Sequence, residues 1–167
     1  MTNTILFIAC SIDGFIAGKN NDLSWLFHDQ DYGFTSFFNS IGSTIMGRKT
    51  YELSAELKEW PYNGKKCYVI TSQEIKDERI IIRKDLVTLV KELKEIEEKD
   101  IWIVGGTRII ADLLNAGLLD SMILFMHPVI IDEGIPLFYG IKKISLKPIK
   151  QQLYNSGLLE AEYDVIN

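Results

Sequence analysis

The chain has 167 residues, a length that suits one domain spanning residues 1–167 with a hydrophobic core of its own. Hydrophobic residues make up 47% and charged residues 25%, the balance of a soluble globular protein. The formal net charge of -5 at pH 7 disfavours nucleic acids and anionic membranes as partners, because both repel a negatively charged protein. A local basic pocket for a phosphate group is compatible with this charge.

Cysteines, histidines and apolar runs set further limits. Cys10 and Cys67 lie in apolar, strand-like stretches and predict buried free thiols. His28 and His127 lack the spacing of metal ligands, so we expect no metal site. The longest apolar run, residues 122–131, is too short to span a bilayer, and no signal peptide is visible at the N-terminus. We therefore expect a cytoplasmic protein.

Short apolar runs bounded by turn residues predict β-strands along the whole chain. They lie at residues 5–10, 15–17, 43–46, 67–70, 79–83, 101–104 and 122–127. The segment from about 144 to 164 predicts two antiparallel strands around the turn Asn155-Ser156-Gly157.

Four helices are predicted between the strands, three of them with an apolar face. Asp31 predicts the N-cap of the first, whose apolar face consists of Phe34, Phe37, Phe38 and Ile41. The second begins at Arg48 or Lys49. The third follows Asp85 and directs five residues to the core: Leu86, Leu89, Val90, Leu93 and Ile96. The fourth has Gly117 as its predicted C-cap and buries Ile109, Ile110, Leu113 and Leu114.

This alternation predicts an α/β fold with a mixed, mainly parallel sheet, helices on both faces, and a C-terminal antiparallel hairpin at one edge. Ligands of such sheets bind at the carboxyl ends of the strands. The joints between a strand and the following helix are therefore the places to search for a site.

The first joint consists of Gly47, Arg48, Lys49 and Thr50. A helix N-terminus beside two cations suits a phosphate group, although a plain solvated first turn is an equally good interpretation. The second joint places the hydroxyls of Thr71 and Ser72 side by side after a strand, a pattern that is also common in turns.

The third joint joins a buried strand to the fourth helix through Val104, Gly105, Gly106, Thr107 and Arg108. The two glycines would let the backbone approach a pyrophosphate at the helix N-terminus. A tight turn without a ligand is the alternative. The motif lacks the G-x-G-x-x-G spacing of an ordinary Rossmann fold.

Taken together and in order, Ile45-Met-Gly-Arg-Lys-Thr-Tyr51, Ile70-Thr-Ser-Gln73 and Val104-Gly-Gly-Thr-Arg108 resemble dihydrofolate reductase. The segment from Ile8 to Ile16 is similar to that family's first strand and the loop over the nicotinamide. Ser11-Ile-Asp-Gly14 and the segment from Pro128 to Phe138 instead resemble the C-terminal reductase domain of the bifunctional deaminase-reductase of riboflavin biosynthesis. The resemblance covers nearly the whole chain and implies the three-layer dihydrofolate reductase-like fold.

The resemblance also implies NADPH as the cofactor. It assigns Arg48, Lys49 and Thr50 to the phosphates, and Thr71 and Ser72 with Arg48 to the adenosine 2′-phosphate. A cis peptide between Gly105 and Gly106 would lie beside the pyrophosphate, and Ala9 and Ile16 would frame the nicotinamide. The complete set of predicted cofactor residues is Ala9, Ile16, Gly47, Arg48, Lys49, Thr50, Thr71, Ser72, Val104, Gly105, Gly106, Thr107 and Arg108.

The substrate half of the site matches neither family closely. Asp31 is our candidate for the acid that engages the substrate, with Asp29 as its rival and helix capping as the competing role of Asp31. Met126 replaces a threonine expected to support that acid, and the Asp-Pro segment of the riboflavin-type reductases is missing. For His127 we favour a structural role over a place in the cleft.

The function predicted from these motifs is hydride transfer from NADPH to a pterin- or pyrimidine-type heterocycle. The alternative is a non-catalytic nucleotide-binding protein that retains the NADPH cleft. The family resemblance also implies a possible homodimer, to which the apolar stretch from Met122 to Val129 would contribute.

Overall fold

A computed structural model of the protein describes residues 1–166. Its strands are β1 (Thr4–Ser11), β2 (Phe15–Gly18), β3 (Ile41–Gly47), β4 (Lys66–Ile70), β5 (Ile81–Arg83), β6 (Asp100–Gly105), β7 (Ser121–His127), β8 (Gly134–Pro136), β9 (Ser145–Leu153) and β10 (Leu159–Ile166). Its helices are α1 (Phe34–Ser40), α2 (Arg48–Ala55), α3 (Leu86–Ile96) and α4 (Thr107–Asn115), with a short 3-10 turn at Lys19–Asn21.

Eight strands form one sheet in the order β5-β4-β3-β6-β1-β7-β10-β9. The first six are parallel to one another, whereas β10 runs antiparallel to β7 and forms a hairpin with β9 at the edge. Strands β2 and β8 pair separately as a small antiparallel ribbon. The predicted mixed, mainly parallel sheet with its C-terminal hairpin is thereby confirmed.

Alternation along the strands divides the interior into two cores, because successive side chains point to opposite faces of a sheet. Ile45 and Ile103 belong to the core that α3 and α4 cover. Their neighbours Met46 and Trp102 belong to the opposite core, which contains Phe37 of α1 and Tyr51 of α2. The predicted helices on both faces are therefore present.

The core beneath α1 is aromatic. Phe7 of β1 stacks on Phe37 with ring centroids 4.1 Å apart, and Trp102 meets the edges of Phe34 and Phe37 at 5.8 and 5.6 Å. Phe7 also contacts Phe125 of β7 at 4.6 Å. These five rings fill the space between α1 and the sheet, where aromatic pairs contribute packing energy beyond their buried area.

Several local predictions need correction. Ile41 begins β3 and does not complete the apolar face of α1, because the helix ends one residue earlier. Helix α1 begins at Phe34 after Gly33, two residues later than an N-cap at Asp31 would give. Ile96 is 69% exposed rather than part of the core, because α3 ends at this residue. Strand β5 begins at Ile81 instead of residue 79, because Arg79 donates its backbone N–H and guanidinium group to Asp77 in a tight turn.

The apolar stretch from Met122 to Val129 is explained within the chain. Strand β7 pairs with β1 on one side and with β10 on the other, so its backbone and its buried side chains already have partners. This stretch therefore gives no argument for a homodimer, which stays a prediction from the family resemblance. Within residues 1–166, no helix is long and apolar enough to cross a membrane, and no cluster of side chains suits a metal ion.

A pair of buried serines tests how hydrogen bonding contributes to this fold. Ser43 of β3 is fully buried, and its hydroxyl has no hydrogen-bond partner among the described residues. Ser11 is also buried, but its hydroxyl donates to Asp13 and accepts from the Phe15 N–H. An unpartnered buried hydroxyl costs about 1–3 kcal/mol, whereas a satisfied one stabilises the fold.

We expect Ser43→Ala to leave the thermal midpoint unchanged or to raise it by about 2–4 °C, the shift that ~1 kcal/mol gives at this size. The matched variant Ser11→Ala should lower the midpoint, because it leaves the Phe15 N–H without its acceptor. Calorimetry of both variants checks the contrast. A larger loss for Ser43→Ala than for Ser11→Ala would contradict it.

Candidate site at the carboxyl edge of the sheet

The predicted joints come together at one edge of the molecule. In the parallel sheet, Met46 lies opposite Gly105, and Gly47 lies opposite Ile70. Ser11 lies opposite His127 on the next pair of strands. All three joints, together with the ends of β1 and β7, therefore lie at the carboxyl edge, as the topology predicts.

Helices α2 and α4 both begin at this edge with uncapped backbone amides. Their N-cap residues are Gly47 and Gly106, and neither helix start has a side-chain cap hydrogen bond. The first N–H groups of a helix have no partner inside the helix, and the helix dipole favours negative charge at that end. Two glycine-started helices side by side are therefore suited to an anion such as a diphosphate.

The third joint contains the predicted cis peptide bond between Gly105 and Gly106. Gly105 has a φ of +124°, in a region that favours glycine. Gly106 has an ordinary φ of -81°, and a Cβ added there would lie 3.7 Å from the Thr50 hydroxyl oxygen. The first and third joints are therefore direct neighbours, with Gly106 facing Thr50 across the gap between them.

Other predicted residues of these joints have different surroundings. The Thr107 hydroxyl donates to the Pro136 carbonyl of β8 and so links α4 to the ribbon. The Arg108 side chain is 93% exposed on α4, with only a loose ion pair to Asp112 at 3.8 Å. Val104 is half-buried and packs against the aromatic core, and Lys49 is exposed.

The second joint brings in a residue that the sequence analysis missed. The Thr71 N–H donates to the carbonyl of Arg83 at 3.0 Å, and the Thr71 hydroxyl accepts from the Gln73 N–H at 3.1 Å. Ser72 is exposed beside them. Arg83 ends β5, so its place in a parallel strand was the signal that could have located it at this edge.

The two residues predicted to frame the nicotinamide belong to different layers. Ile16 packs against the core between the sheet and helices α3 and α4. Ala9 follows Ile8, which belongs to that same core, so the pleat directs Ala9 to the opposite face. The cofactor role of every predicted residue stays a prediction.

The turn after β1 is clasped by Asp13. Its carboxylate accepts from the Ser11 hydroxyl at 2.6 Å and from the N–H groups of Ile131 and Asp132, the latter at 2.8 Å. The Ser11 hydrogen bond and these backbone donors hold the pKa of Asp13 below its ordinary value. The charged Asp13 therefore ties the end of β1 to the loop that follows β7.

The two candidate acids are engaged with their own segment. The Asp31 carboxylate is exposed and accepts from the Thr35 N–H at 3.2 Å and from the Thr35 hydroxyl at 2.7 Å. Asp29 accepts from the Tyr32 hydroxyl at 2.6 Å, which lowers the pKa of Asp29. The capping role of Asp31 is the one whose hydrogen bonds are present, although Gly33 occupies the formal N-cap position. The acid role of Asp31 stays a prediction.

His127 fastens the loop in front of α1. Its Nε2 accepts from the Phe27 N–H at 3.2 Å, so its proton lies on Nδ1, which donates to the Phe125 carbonyl at 3.0 Å. The rings of Trp25 and Phe27 pack against it at 5.2 and 4.9 Å. Burial lowers the pKa of His127, and the structural interpretation of this residue agrees with these contacts.

A cleft of about 470 Å³ lies beside this loop, between the segments 18–25 and 129–133. Lys19 and Glu133 form an exposed ion pair at its rim, and Trp25 and Ile131 supply apolar walls. None of the predicted cofactor residues lines it within the described chain.

Variants of Asp31 separate the capping role from the acid role. Asp31→Ala should lower stability by about 0.5–2 kcal/mol through loss of the acceptor at the start of α1. Asp31→Asn should keep both stability and turnover, because an amide oxygen caps nearly as well as a carboxylate. Thermal melting and steady-state rates give the two readouts. A drop in turnover of roughly 10²-fold or more in Asp31→Asn, with stability intact, would instead establish Asp31 as the acid.

The buried His127 predicts a pH dependence of stability. Because its folded pKa is lowered, the unfolded chain binds the proton more readily. The stabilisation is therefore complete above the ordinary pKa of about 6.5 and is lost as the pH falls below it. Between pH 7.5 and 5.5, the thermal midpoint should fall more steeply in the wild type than in His127→Gln. Equal slopes in the wild type and in His127→Gln would refute the prediction.

The sheet and its edge define an α/β protein in which two helices begin after glycine at the carboxyl edge of a mainly parallel sheet. The comparison with known sequences places it more closely, because the model of the RibD C-terminal domain matches residues 3–159. The chain belongs to the RibD C-terminal domain family, as the resemblance of its Ser11–Gly14 and Pro128–Phe138 segments predicts.

Relatives in sequence and structure agree with this family. The chain is 37% identical over 174 residues to the uncharacterized protein YyaP of Bacillus subtilis (strain 168). The alignment covers 95% of this chain and 93% of YyaP. A protein from Shewanella sp. PV-4 assigned to riboflavin biosynthesis has a TM-score of 0.88 at 26% identity, covering 99% of this chain and all of its own. The deaminase/5-amino-6-(5-phosphoribosylamino)uracil reductase of Thermotoga maritima shares the fold, with a TM-score of 0.77 at 14% identity over 99% of this chain and 57% of that one.

Proposed function

We propose that the protein is an NADPH-dependent reductase that transfers a hydride to a pyrimidine-type heterocycle. The observation that carries this proposal is the meeting of three phosphate-suited joints at one edge of the sheet, with Gly106 facing Thr50. Membership of the RibD C-terminal domain family supports it, because a structural neighbour is a uracil reductase by name.

The residues at this edge fit NADPH in charge and in shape. The uncapped amides of α2 and α4 suit the diphosphate, and glycine at their N-caps leaves room for it. Arg48, Thr71 and Ser72 lie around the end of β4 and would hold the 2′-phosphate, the group that distinguishes NADPH from NADH. When bound, the cofactor would supply the hydride from its nicotinamide ring.

The packing beneath α1 favours a pyrimidine over a pterin. In the dihydrofolate reductase resemblance, an acid early in the first long helix engages the pterin. Here five aromatic rings fill the space between α1 and the sheet, and Asp31 is bound to Thr35. The chain's own residues would orient the acceptor and exclude water from it, with the fastened loop at Trp25 and Phe27 as the cover.

The non-catalytic alternative also has an observation in its favour. Both candidate acids, Asp29 and Asp31, accept hydrogen bonds from their own segment and leave no free carboxylate at the start of α1. A nucleotide-binding protein without turnover would show this arrangement. Titration of NADPH followed by turnover against a panel of ribosylaminopyrimidines and dihydropterins separates the two functions, because only the reductase oxidises the bound cofactor.

Gly106→Ala tests the site without disturbing the fold. Gly106 has an ordinary φ, and an added Cβ meets the Thr50 hydroxyl only at normal contact distance, so stability should stay close to wild type. The methyl group would occupy the space in front of the α4 amides, and NADPH affinity should fall by roughly 100-fold or more.

Gly105→Ala is the matched control for this variant. Because Gly105 has a φ of +124°, alanine there is strained and should lower the thermal midpoint clearly. Calorimetric titration and thermal melting give both readouts. Wild-type NADPH affinity in a well-folded Gly106→Ala protein would remove the third joint from the cofactor site.

A further inference from the structure

The arginine assigned to the 2′-phosphate already has a negatively charged partner. Arg48 donates from Nη1 to the Oε1 atom of Glu52 at 2.6 Å, one turn further along α2. Both side chains are partly exposed, at 35% and 49%. The pair therefore lies at the protein surface, where a ligand could reach it, and not in the core.

A second arginine at the same edge also forms an ion pair with a carboxylate. Arg83, whose carbonyl binds the Thr71 N–H, pairs with Glu92 of α3 at 3.6 Å. Arg48 and Arg83 thus each have a carboxylate partner, Glu52 from the same helix for Arg48 and Glu92 from α3 for Arg83. Lys49 is the remaining cation of the first joint and is exposed.

The charge of Glu52 acts differently on the two nicotinamide cofactors. A phosphate monoester carries about -1.5 to -2 charges at pH 7. The carboxylate of Glu52 would therefore repel a 2′-phosphate that is bound to Arg48. NADH has a hydroxyl at the same position and experiences no such repulsion. Arg48 would also have to share its guanidinium N–H donors between Glu52 and the 2′-phosphate, because each N–H group donates to one acceptor.

We propose that Glu52 is a specificity-determining residue that limits the preference of this protein for NADPH over NADH. The proposal rests on the proposed function, since it takes Arg48 as the reader of the 2′-phosphate. Glu52 offsets part of the attraction of Arg48 and so brings the two affinities closer together. Its effect is electrostatic and exposed to solvent, and it therefore weakens as the salt concentration rises.

The test compares dissociation constants for NADPH and NADH in the wild type and in Glu52→Gln. Glutamine keeps the length and polarity of the side chain but removes its charge. NADPH affinity should increase about threefold to thirtyfold at low salt, because the variant removes one negative charge near the 2′-phosphate. NADH affinity should stay unchanged. The gain should shrink between about 20 mM and 500 mM salt.

Two further variants make the result specific. Glu56→Gln removes an exposed charge at the end of the same helix and should leave the ratio of affinities as in the wild type. In the background of Arg48→Ala, Glu52→Gln should have a much smaller effect, because the competition for the guanidinium group is gone.

The outcomes distinguish this inference from the proposed function. If the wild type binds NADPH but Glu52→Gln leaves the NADPH-to-NADH ratio unchanged, or weakens NADPH, Glu52 does not limit specificity and the inference is refuted alone. If the wild type binds neither cofactor, the proposed function fails and the inference fails with it.

Discussion

The register of the parallel strands is the constraint on which the rest of the site depends. Pairing Met46 with Gly105 and Gly47 with Ile70 places three separate stretches of chain at one edge, although more than fifty residues separate the first joint from the third. Each joint alone is an ordinary turn. Side by side they place the amides of two helices around one gap. Gly47 and Gly106 have no side chain that could fill this gap.

Three polar side chains hold the loops that follow β1 and precede α1. Asp13 binds the loop after β7, His127 binds the loop before α1, and Asp31 binds the start of α1. These hydrogen bonds satisfy backbone N–H groups that loops cannot pair among themselves. A reductase built in this way would leave the redox chemistry to its cofactor, and the protein would contribute binding, orientation and exclusion of water.

The sequence predicted the elements well because their signals are local. The face of α4, the start of α3 after Asp85 and the turn at Gly157 each depend on residues within a few positions of one another. The contacts that the sequence could not predict join distant segments. Asp13 reaches Asp132 across 119 residues, and His127 reaches Phe27 across 100, so neither spacing nor periodicity indicates them. The helical pattern predicted that Ile96 is buried, but α3 ends at this residue and its side chain is exposed.

The same difference explains why the proposed cofactor half of the site is better defined than the proposed substrate half. Backbone amides at helix starts can bind a diphosphate, and short motifs with glycine predict such starts from the sequence. An acceptor is held by side chains from loops that converge only in the folded protein. Here those loops are fixed by Asp13 and His127, and the aromatic rings beneath α1 occupy the space beside the candidate acid. In the proposed reductase, the choice of acceptor would therefore follow from the shape that these loops give to the edge, and less from any single charged residue.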